Sequence, residues 1–289
     1  MDANDVKKVT VLGAGLMGSG IAQVCAQAGM SVVMRDIKDE FVDKGLKGIK
    51  DGLEKAVSKG KLKREDADAT ISRIEGTTDL AKAVSEADLI IEAIPEDMKL
   101  KRDVYREVSK NAKEGAVIAS NTSTLSVTEM ATNVSHSENF VGLHFFNPAP
   151  IMKLIEIVKG RKTSDETVKF ARDFANKIGK TPVVCIDSPG FIANRIALPL
   201  MNEAILALEE GVATKEDIDT ALELGYNHPM GPFKLADLVG LDTLLHSIRS
   251  VGDKMKSPRW KAPKLLEQMV KEGKLGRKTG KGFYDYTQK

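Results

Sequence analysis

The 289-residue chain is poor in cysteine, tryptophan and histidine. Its two cysteines, Cys25 and Cys185, lie far apart and neither belongs to a CxxC pair. That excludes a disulfide scaffold, a redox dithiol and a zinc site, and no metal is expected. Both thiols sit among apolar residues, so they are expected to be buried and reduced, in a cytoplasmic protein. Aromatic residues make up only 5%, and 43 Lys+Arg against 41 Asp+Glu leave a net charge of +2. Without a basic domain, nucleic acid is not an expected partner. Val9 to Met34 carries no charge and is long enough to cross a bilayer, but it contains five glycines and two glutamines. A strand, a glycine turn and a buried helix account for it better than a span or a secretory signal, so no membrane association is expected. The acidic start, Met1-Asp2-Ala3-Asn4-Asp5, does not resemble a transit peptide. What remains is ordinary globular composition, 42% hydrophobic and 29% charged, at a length that suggests two domains.

The apolar pattern divides the chain. Val9-Thr10-Val11-Leu12 reads as a buried strand, Gly13 to Gly18 as a turn, Ile21 to Ala28 as a helix closed by Gly29, and Ser31 to Met34 as a second strand. Val42, Leu46, Ile49 and Leu53 then recur at helical spacing, with lysines between them. Lys59-Gly60-Lys61 turns into a second helix holding Ile71 and Ile74, which makes an inserted helical hairpin. Strands resume at Leu89, Ala116 and Phe140, and again at Leu154 and Pro182, with helices between. The fold class is therefore α/β, a doubly wound and mostly parallel sheet. From Ser188-Pro189-Gly190 onward only helical patterns follow. Ser188 is expected to cap a helix with Pro189 in its first turn, and Thr214 to cap another. The predicted domains are 1–187, an α/β sheet domain, and 188–289, smaller and all-helical.

Gly13-Ala14-Gly15-Leu16-Met17-Gly18 follows a strand and opens a helix, the context in which GxGxxG binds a dinucleotide. The first glycine permits the turn, the second admits the pyrophosphate, and the third lets helix and strand pack. Asp36 ends the second strand, 18 residues past Gly18, where a carboxylate meets ribose hydroxyls. It would repel a 2′-phosphate, so NAD is the expected cofactor, with Arg35 weakening that preference. His144 stands apart among the four histidines because it ends an apolar strand and enters a Pro-rich turn. Strand ends at the carboxyl edge of such a sheet are where ligands bind. Glu156 is a charge in an apolar strand 12 residues on, costly unless paired. If the turn reverses the chain, Glu156 returns beside His144 and stabilises its imidazolium, and His144 becomes a general base. A lone histidine is more often structural; the pairing beside a nicotinamide site raises the catalytic reading. Ser120 to Thr124 also follows a strand, with a helix cap as its plainer reading.

These residues together resemble the L-3-hydroxyacyl-CoA dehydrogenases, and within them the short single-function bacterial type acting on 3-hydroxybutyryl-CoA. The similarity runs through Val11 to Gly18, Ala119 to Ser123, Gly142 to Pro148, Ser188 to Arg195, Gly231 to Phe233 and Gly276 to Tyr284. The resemblance implies a Rossmann-like NAD-binding domain followed by a helical substrate domain that forms a homodimer or higher assembly. It implies NAD-dependent interconversion of (S)-3-hydroxyacyl-CoA and 3-oxoacyl-CoA, short-chain, within fatty acid or butyrate metabolism. By position, His144 is the base and Glu156 its partner, while Ser123 and Asn194 hold the substrate oxygens. Gly13, Gly15, Leu16, Met17, Gly18, Asp36, Glu96, Lys101, Ser123, Asn147 and Lys278 match cofactor-binding positions, and Lys59 matches one that meets coenzyme A. Gly52 departs from relatives that carry a CoA-contacting serine there. The alternatives are a dehydrogenase of another hydroxy acid or of a longer or dicarboxylic acyl-CoA, and a non-catalytic NAD-binding protein. The joint presence of Ser123, His144, Glu156 and Asn194 speaks against the last.

Overall fold

The computed structural model describes residues 2–287, so Met1 and the last two residues of the predicted second domain lie outside the described part. The chain clusters into two units, one ending at Ser188 and the other beginning at Pro189.

The first unit runs β1 (Lys8–Leu12), α1 (Leu16–Gln27), β2 (Ser31–Arg35), α2 (Asp39–Ser58), α3 (Arg64–Ser72), β3 (Ile74–Thr77), α4 (Leu80–Ser85), β4 (Leu89–Glu92), α5 (Met98–Asn111), β5 (Val117–Ser120), α6 (Val127–Met130), β6 (Phe140–Phe145), β7 (Leu154–Lys159), α7 (Asp165–Lys177) and β8 (Thr181–Ile186). Its strands form one eight-stranded sheet in the order β3-β2-β1-β4-β5-β6-β7-β8. Every neighbouring pair is parallel except β6–β7.

Strand parity assigns the two faces, because successive side chains point to opposite sides. Val9, Val11, Leu89, Ile91, Val117, Ala119, Val141, Leu143, Phe145, Ile155 and Ile157 pack in one core with α1 and α7. Residues of the other parity meet α4, α5 and α6: the Thr10 hydroxyl donates to Ala83 O, and Phe140 lies edge-on to Tyr105 with ring centroids 5.0 Å apart. Glu92, Ser120, His144 and Glu156 share this second parity. The polar side chains of four strands thus point to one face, near the carboxyl ends of β4, β5 and β6.

Three local expectations differ from the structure. Ile74 opens β3, pairing with Val32, and does not belong to the preceding helix. Two isoleucines three apart are too short a pattern to separate helix from strand, and sheet pairing decides. Ser188 does not cap a helix: α8 begins at Ala193, because Gly190 (φ +79°) and Phe191 (φ +50°) are left-handed and no helix propagates through them. Cys185 is only half-buried, since it lies on the edge strand β8, whereas Cys25 is fully buried. Desolvation pushes both thiols up to about 12, so neither is an available thiolate. Gly29 follows the end of α1 with φ +90°, as expected of a helix-terminating glycine.

The second unit contains α8 (Ala193–Glu209), α9 (Lys215–Gly225), α10 (Pro232–Val239), α11 (Leu241–Met255) and α12 (Lys264–Lys271), with no named strand among its described residues. Thr214 caps α9 by accepting from Asp217 N. A separate apolar core, including Ile205, Phe233, Leu244, Ile248 and Trp260, holds these helices together. Two buried carboxylates tie down the C-terminal segment: Asp237 accepts from Phe283 N and Tyr284 N, and Asp219 accepts from the Tyr284 hydroxyl. No described helix is long and apolar enough to cross a membrane.

The turn between β6 and β7 is anchored from both sides. Lys180, 7% exposed, donates to Ala149 O at 2.6 Å and Met152 O at 2.7 Å. A side chain at Gly20 of α1 would press on Ala149 and Pro150 at 3.2 Å. Lys180→Met is therefore expected to lower stability by about 1–3 kcal/mol, because both carbonyls lose a buried donor. Urea denaturation measures this; an unchanged midpoint would mean that the ammonium does not hold the turn.

Candidate active site

The glycine loop joins β1 to α1. Gly13 has φ +105°, and a Cβ there would lie 2.5 Å from Ala93 O. A Cβ on Gly18 would lie 1.8 Å from Gly13 O, so only glycine permits this helix–loop contact. At Gly15, by contrast, nothing lies within 4 Å of a Cβ position. Gly15 is also the N-cap of α1 and provides no side-chain cap. An open approach above uncapped helix N–H groups fits a phosphate ligand. Leu16 opens the helix exposed and Met17 packs against the core.

Asp36 closes this loop from the end of β2. Its Oδ2 accepts from Ala14 N at 2.7 Å and its Oδ1 from Ile37 N at 2.7 Å. The Arg35 guanidinium donates to Thr78 O at 3.1 Å. These features fit a dinucleotide with ribose hydroxyls at the carboxylate.

His144 and Glu156 are directly opposite one another in the antiparallel β6–β7 register. His144 Nδ1 lies 2.6 Å from Glu156 Oε2. A carboxylate only accepts, so Nδ1 carries the proton and the lone pair of the neutral ring is on Nε2. The histidine is 6% exposed and Glu156 is fully buried. Phe146 packs against the imidazole with centroids 4.5 Å apart.

The Ser120–Thr124 loop follows β5. Asn121 Oδ1 accepts from Phe145 N at 2.9 Å, tying this loop to the strand that carries His144. Glu96 Oε1 collects the loop: it accepts from Thr122 Oγ1 at 2.6 Å, Ser123 N at 3.0 Å and Thr124 N at 3.0 Å. Burial opposes ionisation of Glu96, yet the Lys101 charge and these hydrogen bonds outweigh it and hold the carboxyl below the usual carboxylate range.

Lys101 is 1% exposed, 2.6 Å from Glu92 Oε1 and 3.3 Å from Glu96 Oε2. Glu92 has no counterpart among the residues expected from the sequence. It is fully buried and also accepts from Tyr105, Ser120 and Ile94 N. The signal that finds Glu156 also finds Glu92: a carboxylate ending the apolar run Leu89-Ile90-Ile91.

Other expected residues lie elsewhere on their units. Asn147 is exposed in the β6–β7 turn, and Lys59 is exposed at the end of α2. Gly52 faces open space on the same helix. Asn194 is the second residue of α8 and half-buried. Lys278 is paired with Asp242 at 2.5 Å.

Residues 8–188 match the family model for the 3-hydroxyacyl-CoA dehydrogenase NAD binding domain, and residues 190–286 match that family's C-terminal domain. The chain belongs to the 3-hydroxyacyl-CoA dehydrogenase family. A probable 3-hydroxybutyryl-CoA dehydrogenase of Deinococcus radiodurans is 46% identical over 96% of this chain and 100% of its own. The mitochondrial hydroxyacyl-coenzyme A dehydrogenase of Homo sapiens is 44% identical over 97% of this chain and 91% of its own. The crystal structure of (S)-3-hydroxybutyryl-CoA dehydrogenase from Ralstonia eutropha superposes with a TM-score of 0.92 at 40% identity, covering 98% of this chain and all of that one. Within this dehydrogenase family, the glycine loop lies in the part matched as NAD-binding.

A pH dependence follows for the Ser123 loop. Glu96 has a folded pKa below its unfolded value of about 4.3. Its ionisation therefore contributes stability that is fully present above that value and is lost as pH falls through the depressed folded value. Wild type is expected to be more stable than Glu96→Gln at neutral pH, with the gap closing in acid below about pH 4. Parallel acid-denaturation curves would show that ionisation of Glu96 does not hold the loop.

Proposed function

We propose that the protein interconverts short-chain (S)-3-hydroxyacyl-CoA and 3-oxoacyl-CoA, with 3-hydroxybutyryl-CoA and acetoacetyl-CoA as the pair. The observation that carries this reading is the 2.6 Å His144–Glu156 contact on the strand-end face that also holds the Ser123 loop. NAD, when bound, supplies the acceptor for the hydride leaving C3.

Loss of hydride from C3 leaves a high-energy protonated ketone unless the hydroxyl proton leaves as well. His144 Nε2 accepts that proton, and the Glu156 carboxylate offsets the positive charge that forms on the ring. In the reductive direction the imidazolium returns the proton to the ketone oxygen. The backbone of Ser123, held by Glu96, fixes its hydroxyl for a substrate oxygen; Asn194 has the second oxygen-holding role that its motif implies. Gly13, Gly15, Leu16, Met17 and Gly18 form the phosphate cradle, and Asp36 takes the ribose hydroxyls. Glu96, Lys101, Asn147 and Lys278 are assigned to the cofactor, and Lys59 to coenzyme A. We assign residues 1–187 to cofactor binding and 188–289 to substrate binding and homo-oligomer formation, in a cytoplasmic enzyme of fatty acid or butyrate metabolism.

Purified protein mixed with NADH and acetoacetyl-CoA is expected to consume NADH rapidly, whereas free acetoacetate is not reduced. His144→Gln should lower turnover by about 10² to 10⁴, the usual value of general acid–base assistance, and leave NADH affinity nearly unchanged. An equal loss of NADH affinity would contradict the proton-transfer role. Absence of turnover with any CoA ester, despite saturable NADH binding, would sink the reading and leave another hydroxy substrate or a non-catalytic role. Asp36→Ala is expected to shrink the preference for NADH over NADPH by about tenfold, equivalent to about 1.4 kcal/mol. An unchanged ratio would mean that Asp36 does not discriminate.

A further inference from the structure

Glu92 ends β4 and has no part in proton transfer, yet four donors converge on its buried carboxylate. Its Oε1 accepts from Lys101 Nζ at 2.6 Å and from Ile94 N at 2.8 Å. Its Oε2 accepts from the Tyr105 hydroxyl at 2.5 Å and from Ser120 Oγ at 2.7 Å. The side chain is fully buried, and so are those of Lys101 and Tyr105. Burying a carboxylate at this depth is costly even with a paired ammonium, and apolar residues could fill the same volume. A site that keeps such a group for packing alone has little to gain from it.

The bonds converge on one segment by two routes. The direct route is Ser120: its hydroxyl donates to Glu92 and accepts from Thr122 N at 3.2 Å, so the base of the loop is tied to β4. The indirect route crosses Lys101, whose ammonium lies between Glu92 and Glu96. Glu96 presents Oε2 to that ammonium and Oε1 to Ser123 N and Thr124 N. Glu92 therefore divides the attraction of Lys101 with Glu96. If Glu92 loses its charge, Glu96 becomes the sole anionic partner of Lys101 among these groups and is drawn toward it, away from the Ser123 backbone. Tyr105 joins the same hub at the base of the loop: its hydroxyl donates to Glu92 and also meets the Ser120 hydroxyl. Burial, followed by the charge and hydrogen bond of Glu92, raises its phenol pKa well above the ordinary value, so it remains a donor.

We propose that Glu92 is a positioning residue: by anchoring Ser120 and balancing Lys101 against Glu96, it sets the placement of the Ser123 hydroxyl at the reacting face. The kinetic consequence rests on the dehydrogenase reading given above; the structural consequence does not.

The experiment pairs two readouts on the full chain. Amide hydrogen exchange by mass spectrometry is measured in wild type, Glu92→Gln and Tyr105→Phe. Tyr105→Phe preserves the ring packed on Phe140 and removes only the hydroxyl, so it reports even where Glu92→Gln does not fold. Exchange in the peptide covering residues 120–126 is expected to speed up by about tenfold in Glu92→Gln and by a smaller factor in Tyr105→Phe, with the α1 and α7 peptides unchanged. Uniform acceleration over the whole sheet, or none in 120–126, would reduce Glu92 to a stability element and overturn the proposal. The second readout is a double-mutant cycle on acetoacetyl-CoA reduction. Glu92→Gln, or Tyr105→Phe in its place, should lower kcat by about tenfold in the wild-type background and by less than about threefold when Ser123 is already alanine. Equal losses in the two backgrounds would show that Glu92 does not act through Ser123. Wild type inactive on every CoA ester would refute the substrate reading alone, and the exchange result would still decide the positioning role.

Discussion

The antiparallel return of β7 along β6 is the constraint on which the rest of the site depends. In an otherwise parallel sheet, neighbouring strands reach the carboxyl edge together, and each presents its terminal side chains once. Reversal of the chain at β7, a direction β8 then shares, places a mid-strand residue, Glu156, opposite a residue near the end of its neighbour, His144. A hydrogen bond to a fully buried carboxylate then fixes ring orientation and tautomer without any loop having to order. The Pro-rich turn that performs the reversal is held by the Lys180 ammonium and packed on Gly20 of α1, so the helix that begins at the glycine loop also braces the histidine strand.

Three carboxylates on this face are kept in different electrostatic settings. Glu156 faces an imidazole whose charge would change in the proposed proton transfer. Glu92 faces a buried ammonium whose charge does not change, and two hydroxyls add to that pairing. Glu96 lies between, partly exposed, held by Lys101 on one oxygen and by backbone N–H groups on the other. Low local dielectric makes each of these interactions strong, and it makes an uncompensated one expensive. Under the proposed mechanism such a face is rigid where charge is constant and responsive at His144, where charge would move.

Much of this was legible in residue order because the relevant patterns are short. The glycine turn, the acid after β2 and the charge inside β7 each obey a rule that acts over a few residues. The limits came where a rule needed more chain than the pattern supplied. Ile71 and Ile74 fit a helical step, but pairing with Val32 makes Ile74 a strand residue. Ser188-Pro189 looks like a helix start, but left-handed backbone at Gly190 and Phe191 postpones the helix to Ala193. Glu92 was open to the same argument as Glu156. Its partners, however, come from α5 and β5, and no local spacing announces a convergence of three elements on one carboxylate.

The separations along the chain carry a consequence for assembly. His144 and Glu156 are 12 residues apart, Asp36 and the Ala14 amide 22, and Glu92 and Ser120 28. Closing the shortest of these loops costs about 0.7 kcal/mol less entropy than closing the longest. The shortest also joins two strands that can pair as a hairpin, whereas the other two wait for parallel strands linked through helices. Chain entropy thus favours the His144–Glu156 pair as the earliest of these contacts to form, before the cofactor loop and the Ser123 loop reach their places. A cut within the Asn147–Lys153 turn would remove that advantage and make the pair the most distant contact of the three, although every residue of the site would still be present.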